Sequence, residues 1–144
     1  YNRVRLSPNL EQESIYHDNI KSLFSVSDFL SINCSSTNET KHIINKKTLN
    51  YFPNGAVIAN SARGEIIDDD SMIKALKSGK IFSLGLDVYN GEPNIHPEYL
   101  TLPNVFVLPH LGSATIKTRT AMADLAISNI EEFFKTGKCV NKVN

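Results

Sequence analysis

The spacing of apolar residues along this chain predicts alternating strands and helices. Short runs of small, β-branched and other apolar residues occupy 29–34, 55–60, 82–88 and 105–108. Continuous runs of this kind are typical of strands in a parallel sheet, and the run at 55–60 predicts a strand covered on both faces. Between and after these runs, apolar residues recur at helical spacing over 19–25, 45–52, 68–79 and 113–136.

The segment 68–79 has the clearest helix signals. Asp68 and the two aspartates that follow it favour the positive N-terminal end of a helix, and Gly79 is a plausible stop. Met72, Ile73 and Leu76 form the stripe that we expect to be buried.

The last helix, predicted over 113–136, has a longer apolar stripe and ends at Gly137. Such a stripe could serve a partner protein or a membrane, but packing in the core is the favoured interpretation. The residues of this stripe are Met122, Leu125, Ala126, Ile130, Phe133 and Phe134.

Alternation of strands and helices predicts an α/β fold with a doubly wound parallel sheet, followed by a long C-terminal helix. In such a sheet, ligands bind at the edge formed by the carboxyl ends of the strands. Residues that directly follow the predicted strands are therefore the first candidates for a functional site.

Three such residues supply a guanidinium, a carboxylate and an imidazole. Arg63 follows the strand at 55–60, Glu92 follows the strand at 82–88, and His110 follows the last strand. Arginine can clamp a carboxylate with a two-pronged fork, and histidine can exchange a proton near neutral pH. Each residue alone is more often a surface or structural group. Their joint placement suits the reduction of an α-keto acid.

The segments around these residues are Asn-Ser-Ala-Arg-Gly-Glu at 60–65, Gly-Leu-Asp-Val-Tyr-Asn-Gly-Glu-Pro at 85–93 and Leu-Pro-His-Leu-Gly-Ser at 108–113. They closely resemble the D-isomer-specific 2-hydroxyacid dehydrogenases. The segments 17–28, 91–95 and 102–106 resemble the glycerate dehydrogenase, or glyoxylate/hydroxypyruvate reductase, branch. The resemblance runs from Tyr1 to about Lys138 and implies an oxidoreductase that transfers hydride between a nicotinamide cofactor and a small D-2-hydroxy or 2-keto acid.

The resemblance implies a catalytic role for each of the three residues. Arg63 would bind the carboxylate and keto oxygen of the substrate. His110 would protonate that oxygen during reduction and take the proton back during oxidation. Glu92 would hydrogen-bond the imidazole and stabilise its charged form.

The resemblance also implies a set of cofactor contacts. Asp87 matches the residue that meets the nicotinamide carboxamide, although it could simply cap the following turn. Ser35 stands where relatives often have proline, so the local loop is expected to be less rigid. The other implied contacts are Cys34, Ser61, Ala62, Arg63, His110, Leu111, Gly112 and Ser113.

The start of the chain bears on the choice between NADP and NAD. It resembles the end of the second strand of a Rossmann unit, where an acid suits NAD and an arginine suits the extra phosphate of NADP. Asn2 and Arg3, with Arg5 close behind, fit the NADP pattern, which makes NADP the favoured cofactor over NAD. Both arginines could instead be ordinary surface charges.

None of the seven glycines forms the Gly-x-Gly-x-x-Gly turn that binds the cofactor pyrophosphate in this family. We therefore expect the C-terminal part of a longer enzyme, without the first strand-helix pair, and no reductase activity from this chain alone. Residues 1–112 would be a partial dinucleotide-binding domain, and 113–144 would lead toward the substrate domain.

Composition adds expectations about partners and compartment. Fifteen basic and fifteen acidic residues give zero formal charge, which predicts neither nucleic acid nor a membrane as partner. Cys34 and Cys139 have no metal-ligand spacing, so we expect no metal site and no disulfide, with Cys34 a buried strand-end residue. We expect a cytoplasmic homodimer that binds a small acid. A regulatory or interaction module without catalysis, or an inactive fragment, are the alternatives.

Overall fold

The computed structural model describes residues 5–143 of the chain. The chain forms two compact units, Tyr1–Pro109 and His110–Asn144. The first contains a parallel sheet and its connecting helices, and the second contains one long helix.

The sheet has four strands: β1 (Phe29–Ile32), β2 (Ala56–Asn60), β3 (Ile81–Leu86) and β4 (Val105–Val107). All neighbours are parallel, in the order β1-β2-β3-β4. The α-helices are α1 (Pro8–Glu11), α2 (Ile20–Ser25), α3 (Lys46–Leu49), α4 (Asp69–Lys77) and α5 (Ile116–Thr136), and Gly64–Ile66 and Pro97–Thr101 form short 3-10 turns. The predicted parallel α/β fold with a long C-terminal helix is confirmed. The sequence pattern missed α1, and α3 is shorter than predicted.

The core of the first unit lies on one face of the sheet. Ile58 of β2 and Leu84 of β3 pair in register and are fully buried, and the α4 residues Met72, Ile73 and Leu76 are buried with them. Burial of each such side chain contributes roughly 1.5–3 kcal/mol. The buried stripe predicted for this helix is therefore confirmed.

The opposite face of the sheet is largely exposed. Phe29 and Phe106 are 80% and 66% exposed, and Ala59 of β2 is exposed as well. Parallel crossovers are right-handed, so connections that add strands in one direction all lie on the same face. The prediction that the β2 segment is covered on both faces is therefore wrong for this unit.

Asn60 is a buried polar residue at the carboxyl end of β2. Its side-chain oxygen accepts from the Ala62 N–H at 3.0 Å, and its Nδ2 donates to the Arg63 carbonyl at 2.9 Å. Both ends of the amide are thus satisfied by the turn that follows the strand. This single side chain fixes the path of the backbone from β2 to Arg63.

Helix α4 begins and ends as the sequence predicts. Asp68 is its N-cap and accepts from the Ser71 N–H at 3.0 Å. Hydrogen bonding from the Ser71 side chain, and then from its N–H, lowers the pKa of the Asp68 carboxyl below its usual value. Gly79 follows the helix with a left-handed φ of 74°. In the first turn, Asp69 accepts a hydrogen bond from the buried Tyr99 hydroxyl at 3.0 Å, and burial raises the pKa of both groups.

Helix α5 is capped by Thr115, whose hydroxyl accepts from the Thr118 N–H at 3.1 Å, and ends at Gly137 with φ 71°. The side chains of its apolar stripe are exposed, from 51% for Phe133 to 82% for Phe134. The prediction that this stripe packs in the core is wrong for this chain. Helical periodicity shows that an apolar face exists, but it does not identify the surface that covers it. No helix within residues 5–143 is both long and apolar enough to span a membrane.

Cys34 lies in the loop beyond β1 and is exposed, so the prediction of a buried strand-end residue is wrong. The physical reason is that β1 ends at Ile32 and is an edge strand of the described sheet. Cys34 and Cys139 are both free thiols.

Replacement of Asp68 by Ala should lower the free energy of unfolding by about 0.5–2 kcal/mol, because the Ser71 N–H loses its cap. The folded-state pKa of Asp68 lies below its ordinary value of 3.8. The contribution of the ionised Asp68 cap to the free energy of unfolding is therefore full above pH 3.8 and is lost as the pH falls below it. Urea unfolding at about pH 7 and about pH 3 measures both effects. Asp70→Ala, in the same turn, is the control, and an equal loss in both variants would contradict the capping role.

Replacement of Asn60 by Ala should lower the free energy of unfolding by about 1–3 kcal/mol, because it removes two hydrogen bonds from the turn after β2. Asn33→Ala is the matched control. Asn33 is exposed. Its Nδ2 donates to Ser31 at 3.0 and 3.3 Å, and its Oδ1 accepts a longer bond of 3.5 Å from the Ser61 hydroxyl. That variant should lose less than about 0.5 kcal/mol. Chemical denaturation of both variants tests the difference, and equal stabilities would refute the role of the buried amide.

Candidate functional site

The carboxyl ends of all four strands form one edge of the first unit, because the strands are parallel. Arg63 is on the loop after β2, and Glu92 is on the loop after β3. His110 follows β4 in the chain and begins the second unit. The fold therefore brings Arg63 and Glu92 to the same edge, which is where open α/β sheets bind ligands.

Arg63 has an extended backbone and an exposed side chain. Its Nη1 donates to the Ala62 carbonyl at 2.6 Å. The buried Asn60 side chain fixes the turn that leads to Arg63, so the position of the guanidinium depends on that side chain. An exposed guanidinium on a fixed turn suits the recognition of a carboxylate.

Gly64 brings the loop after β2 against the loop after β3. A Cβ atom at this position would lie 1.9 Å from the Tyr89 carbonyl carbon and 2.2 Å from the Asn90 nitrogen. Only a residue without a side chain allows this approach. The loop that holds Arg63 and the loop that holds Glu92 are thus in direct backbone contact.

Glu92 is exposed, and its Oε1 accepts from the Tyr89 N–H at 3.1 Å. This bond closes the turn at the start of the loop. On the same loop, the Asp87 N–H donates to the Asn60 carbonyl at 3.0 Å, which extends the pairing of β2 and β3. The Asp87 backbone therefore lies next to the end of β2, and its side chain is half-buried.

The loop after β1 contributes Cys34. Beside it, Asn33 accepts from the Ser61 hydroxyl at 3.5 Å, so the loops after β1 and β2 are neighbours. A cleft of about 600 Å³ opens next to β1. Its mostly apolar lining includes Leu23, Phe24, Leu30, Ile32, Cys34 and Ile44. Of the cofactor contacts implied in this unit, Cys34 lines the cleft, whereas Ser61, Ala62 and Asp87 do not.

His110 has a left-handed backbone with φ 56° and an exposed side chain. Histidine is one of the few non-glycine residue types that adopt this conformation with some frequency, and strained backbone clusters at functional sites. Leu111 is 46% exposed, and its carbonyl accepts from the Ala114 N–H at 3.0 Å. Gly112 and Ser113 lie within this turn and are exposed.

The remaining predicted contacts, Asn2 and Arg3, lie outside the described residues. Arg5 is described, and its Nε donates to both carboxylate oxygens of Glu11 at 3.1 and 3.2 Å. Within residues 5–143, no three His, Cys, Asp or Glu side chains are grouped closely enough to hold a metal ion.

The sequence analysis missed the supporting roles of Asn60, Gly64 and Tyr89. Asn60 has a visible signal, because a polar residue stands where the alternation of β2 requires a buried one, and asparagine favours turns of this kind. The contacts of Gly64 and Tyr89 join different loops, and local sequence has no signal for them.

Comparison with known proteins identifies the family of this chain. The family model described as "D-isomer specific 2-hydroxyacid dehydrogenase, NAD binding domain" matches residues 1–112. A glycerate dehydrogenase from Hyphomicrobium methylovorum is 41% identical over 132 residues, which cover 92% of this chain and 41% of that protein. The chain spans about two fifths of the length of the curated relatives it matches.

Solved structures share the fold. A glyoxylate reductase from Paecilomyes thermophila superposes with a TM-score of 0.92 at 38% identity, covering 99% of this chain and 43% of that one. An NADPH-dependent glyoxylate/hydroxypyruvate reductase from Sinorhizobium meliloti, solved with NADP and malonate, has a TM-score of 0.86 at 32% identity, covering 96% and 43%. The resemblance stated from the motifs is therefore confirmed, and this chain belongs to the D-isomer specific 2-hydroxyacid dehydrogenase family.

Proposed function

We propose that the complete protein containing this chain transfers hydride between a nicotinamide cofactor and a small D-2-hydroxy or 2-keto acid. Glycerate with hydroxypyruvate and glycolate with glyoxylate are the proposed substrate pairs. The observation that carries the proposal is the exposed Arg63 side chain at the carboxyl edge of the sheet. The turn that holds it is fixed by hydrogen bonds to the buried Asn60 side chain. The names of the related glycerate dehydrogenase and glyoxylate reductase support the same substrate class.

We propose the following roles for the chain's own residues. Arg63 binds the substrate carboxylate with its fork and polarises the keto oxygen. His110 donates a proton to that oxygen during reduction and accepts it during oxidation. Glu92 supplies a negative charge that orients the imidazole and stabilises its charged form.

The groups at this edge fit a nicotinamide nucleotide. A carboxylate at Asp87 and a hydroxyl at Ser61 can accept hydrogen bonds from the carboxamide and ribose of such a ligand, and Cys34 adds an exposed thiol beside the cleft. When bound, the cofactor supplies or accepts the hydride. We propose that Cys34, Ser61, Ala62, Asp87, Leu111, Gly112 and Ser113 line its site, together with Arg63 and His110.

We further propose NADP as the preferred cofactor over NAD, with Asn2 and Arg3 beside the ribose phosphate. A cationic side chain at that point suits the extra phosphate. The related reductase from Sinorhizobium meliloti is described as NADPH-dependent and was solved with NADP. The pairing of Arg5 with Glu11 leaves Arg3 as the proposed phosphate contact.

For the whole protein we propose a cytoplasmic homodimer. Two free, exposed thiols are typical of a reducing compartment. The exposed apolar stripe of α5 supports further packing in the complete protein. We propose residues 1–112 as part of the dinucleotide-binding domain and 113–144 as the segment that leads toward the substrate domain.

His110→Gln in the complete enzyme should lower kcat by about 10²–10⁴-fold and leave the KM for the keto acid nearly unchanged, because it removes the proton donor. Arg63→Ala should raise that KM and also lower kcat, and Arg63→Lys should recover only part of the loss, because lysine lacks the fork. Glyoxylate- and hydroxypyruvate-dependent oxidation of NADPH measures both. His42→Gln is the control for histidine loss. Near-normal turnover of His110→Gln would contradict the assignment.

The complete enzyme should prefer NADPH to NADH, and Arg3→Ala should erode that preference through the KM of the cofactor. One charged phosphate contact contributes roughly 1.5–3 kcal/mol, or about tenfold to a hundredfold in affinity. The matched control is Arg5→Ala, which removes a guanidinium already bonded to Glu11. Steady-state kinetics with both cofactors tests this, and a wild-type enzyme equally efficient with both would refute it.

A further inference from the structure

Tyr89 links the loop after β3 to the end of β4. Its half-buried side chain donates a hydrogen bond from the hydroxyl to the Leu108 carbonyl at 2.8 Å. The Leu108 N–H donates to the Leu86 carbonyl at 2.8 Å, so both backbone groups of Leu108 are held. Leu108 stands just before Pro109 and His110 in the chain.

The end of β4 has few other contacts that hold it in the described sheet, so the hydrogen bond from Tyr89 matters there. This strand is the shortest of the four and an edge of the described sheet, so β3 is its one neighbouring strand there. Strand ends with a single neighbour open more easily than central strands. The Tyr89 hydroxyl extends the anchoring of β4 past its last paired residue, toward the segment that leads to His110.

The same residue also contacts Glu92 and packs against the residue that follows Arg63. Its backbone N–H donates to Glu92 Oε1 at 3.1 Å. Its carbonyl carbon and oxygen would lie 1.9 and 2.3 Å from a Cβ atom placed on Gly64, the residue directly after Arg63. Tyr89 therefore touches the segments after β2, β3 and β4 with its backbone and its hydroxyl.

We propose that Tyr89 is a positioning residue for the reaction, because it joins the turn that follows Arg63, the loop that holds Glu92, and Leu108, which stands two residues before His110 in the chain. This inference rests on the proposed function. Reacting groups must be held within about 0.5 Å of their productive geometry, and loops achieve this only when other residues lock them. The hydroxyl is the part of Tyr89 that can be removed without changing the ring or the backbone contacts.

The test is Tyr89→Phe in the complete enzyme. Because one hydrogen bond is lost, kcat for the keto acid should fall about threefold to tenfold, while the KM for the nicotinamide cofactor changes by less than about twofold. In hydrogen–deuterium exchange, the peptide that contains Leu108 should exchange about threefold to tenfold faster. Peptides from β2 should exchange as in the wild type.

Tyr99→Phe is the matched control, because it also removes one hydrogen bond made by a tyrosine hydroxyl. That bond leads to the Asp69 carboxylate in the first turn of α4. This variant should leave kcat and the exchange at Leu108 unchanged. Equal losses of kcat in the two variants would overturn the inference in favour of general destabilisation. Wild-type values of kcat and exchange in Tyr89→Phe would overturn it directly.

The two readouts separate this inference from the proposed function. If the wild-type complete protein reduces neither glyoxylate nor hydroxypyruvate with NADPH or NADH, the proposed function fails. The exchange data alone then decide whether Tyr89 joins the loops. Faster exchange at Leu108 in Tyr89→Phe would then support the joining role of Tyr89, and unchanged exchange would refute it.

Discussion

The buried amide of Asn60 is the interaction on which the candidate site depends. It lies at the end of a central strand, where a polar group without hydrogen-bond partners would be costly. Its two partners are the Ala62 N–H and the Arg63 carbonyl, so the amide is satisfied only when the turn after β2 has one particular path. The same two hydrogen bonds therefore satisfy the buried amide and fix the turn that holds the Arg63 guanidinium.

Close contact between loops extends this constraint across the edge of the sheet. Gly64 admits the backbone of Tyr89, and the Asp87 N–H bonds to the Asn60 carbonyl. The loops after β2 and β3 are therefore fixed relative to each other by backbone groups as well as by side chains. Such an arrangement tolerates changes in exposed side chains more readily than the addition of one methyl group at Gly64.

Much of the fold could be predicted because its signals are local. The apolar runs at β2 and β3, and the cap and stop of α4, each lie within a few residues of the structure they specify. The exposure of Cys34 and of the α5 stripe could not be predicted, since exposure depends on which surfaces meet. The Tyr89–Leu108 bond joins residues that are far apart in sequence, and only the parallel topology brings them together. For the site, the predicted strand order placed Arg63 and Glu92 at one edge, and the family resemblance suggested the roles that we propose for them.

The agreement between strand order and chain order has a consequence for how the sheet assembles. Each strand pairs with the one that precedes it in the chain, from β1 through β4. Within the described sheet, each pairing therefore closes a loop of moderate length onto a strand already synthesised. Connections of this length cost less closure entropy than pairing with a distant segment would cost. The sheet can grow one strand at a time as the polypeptide leaves the ribosome, and each new strand meets a preformed edge.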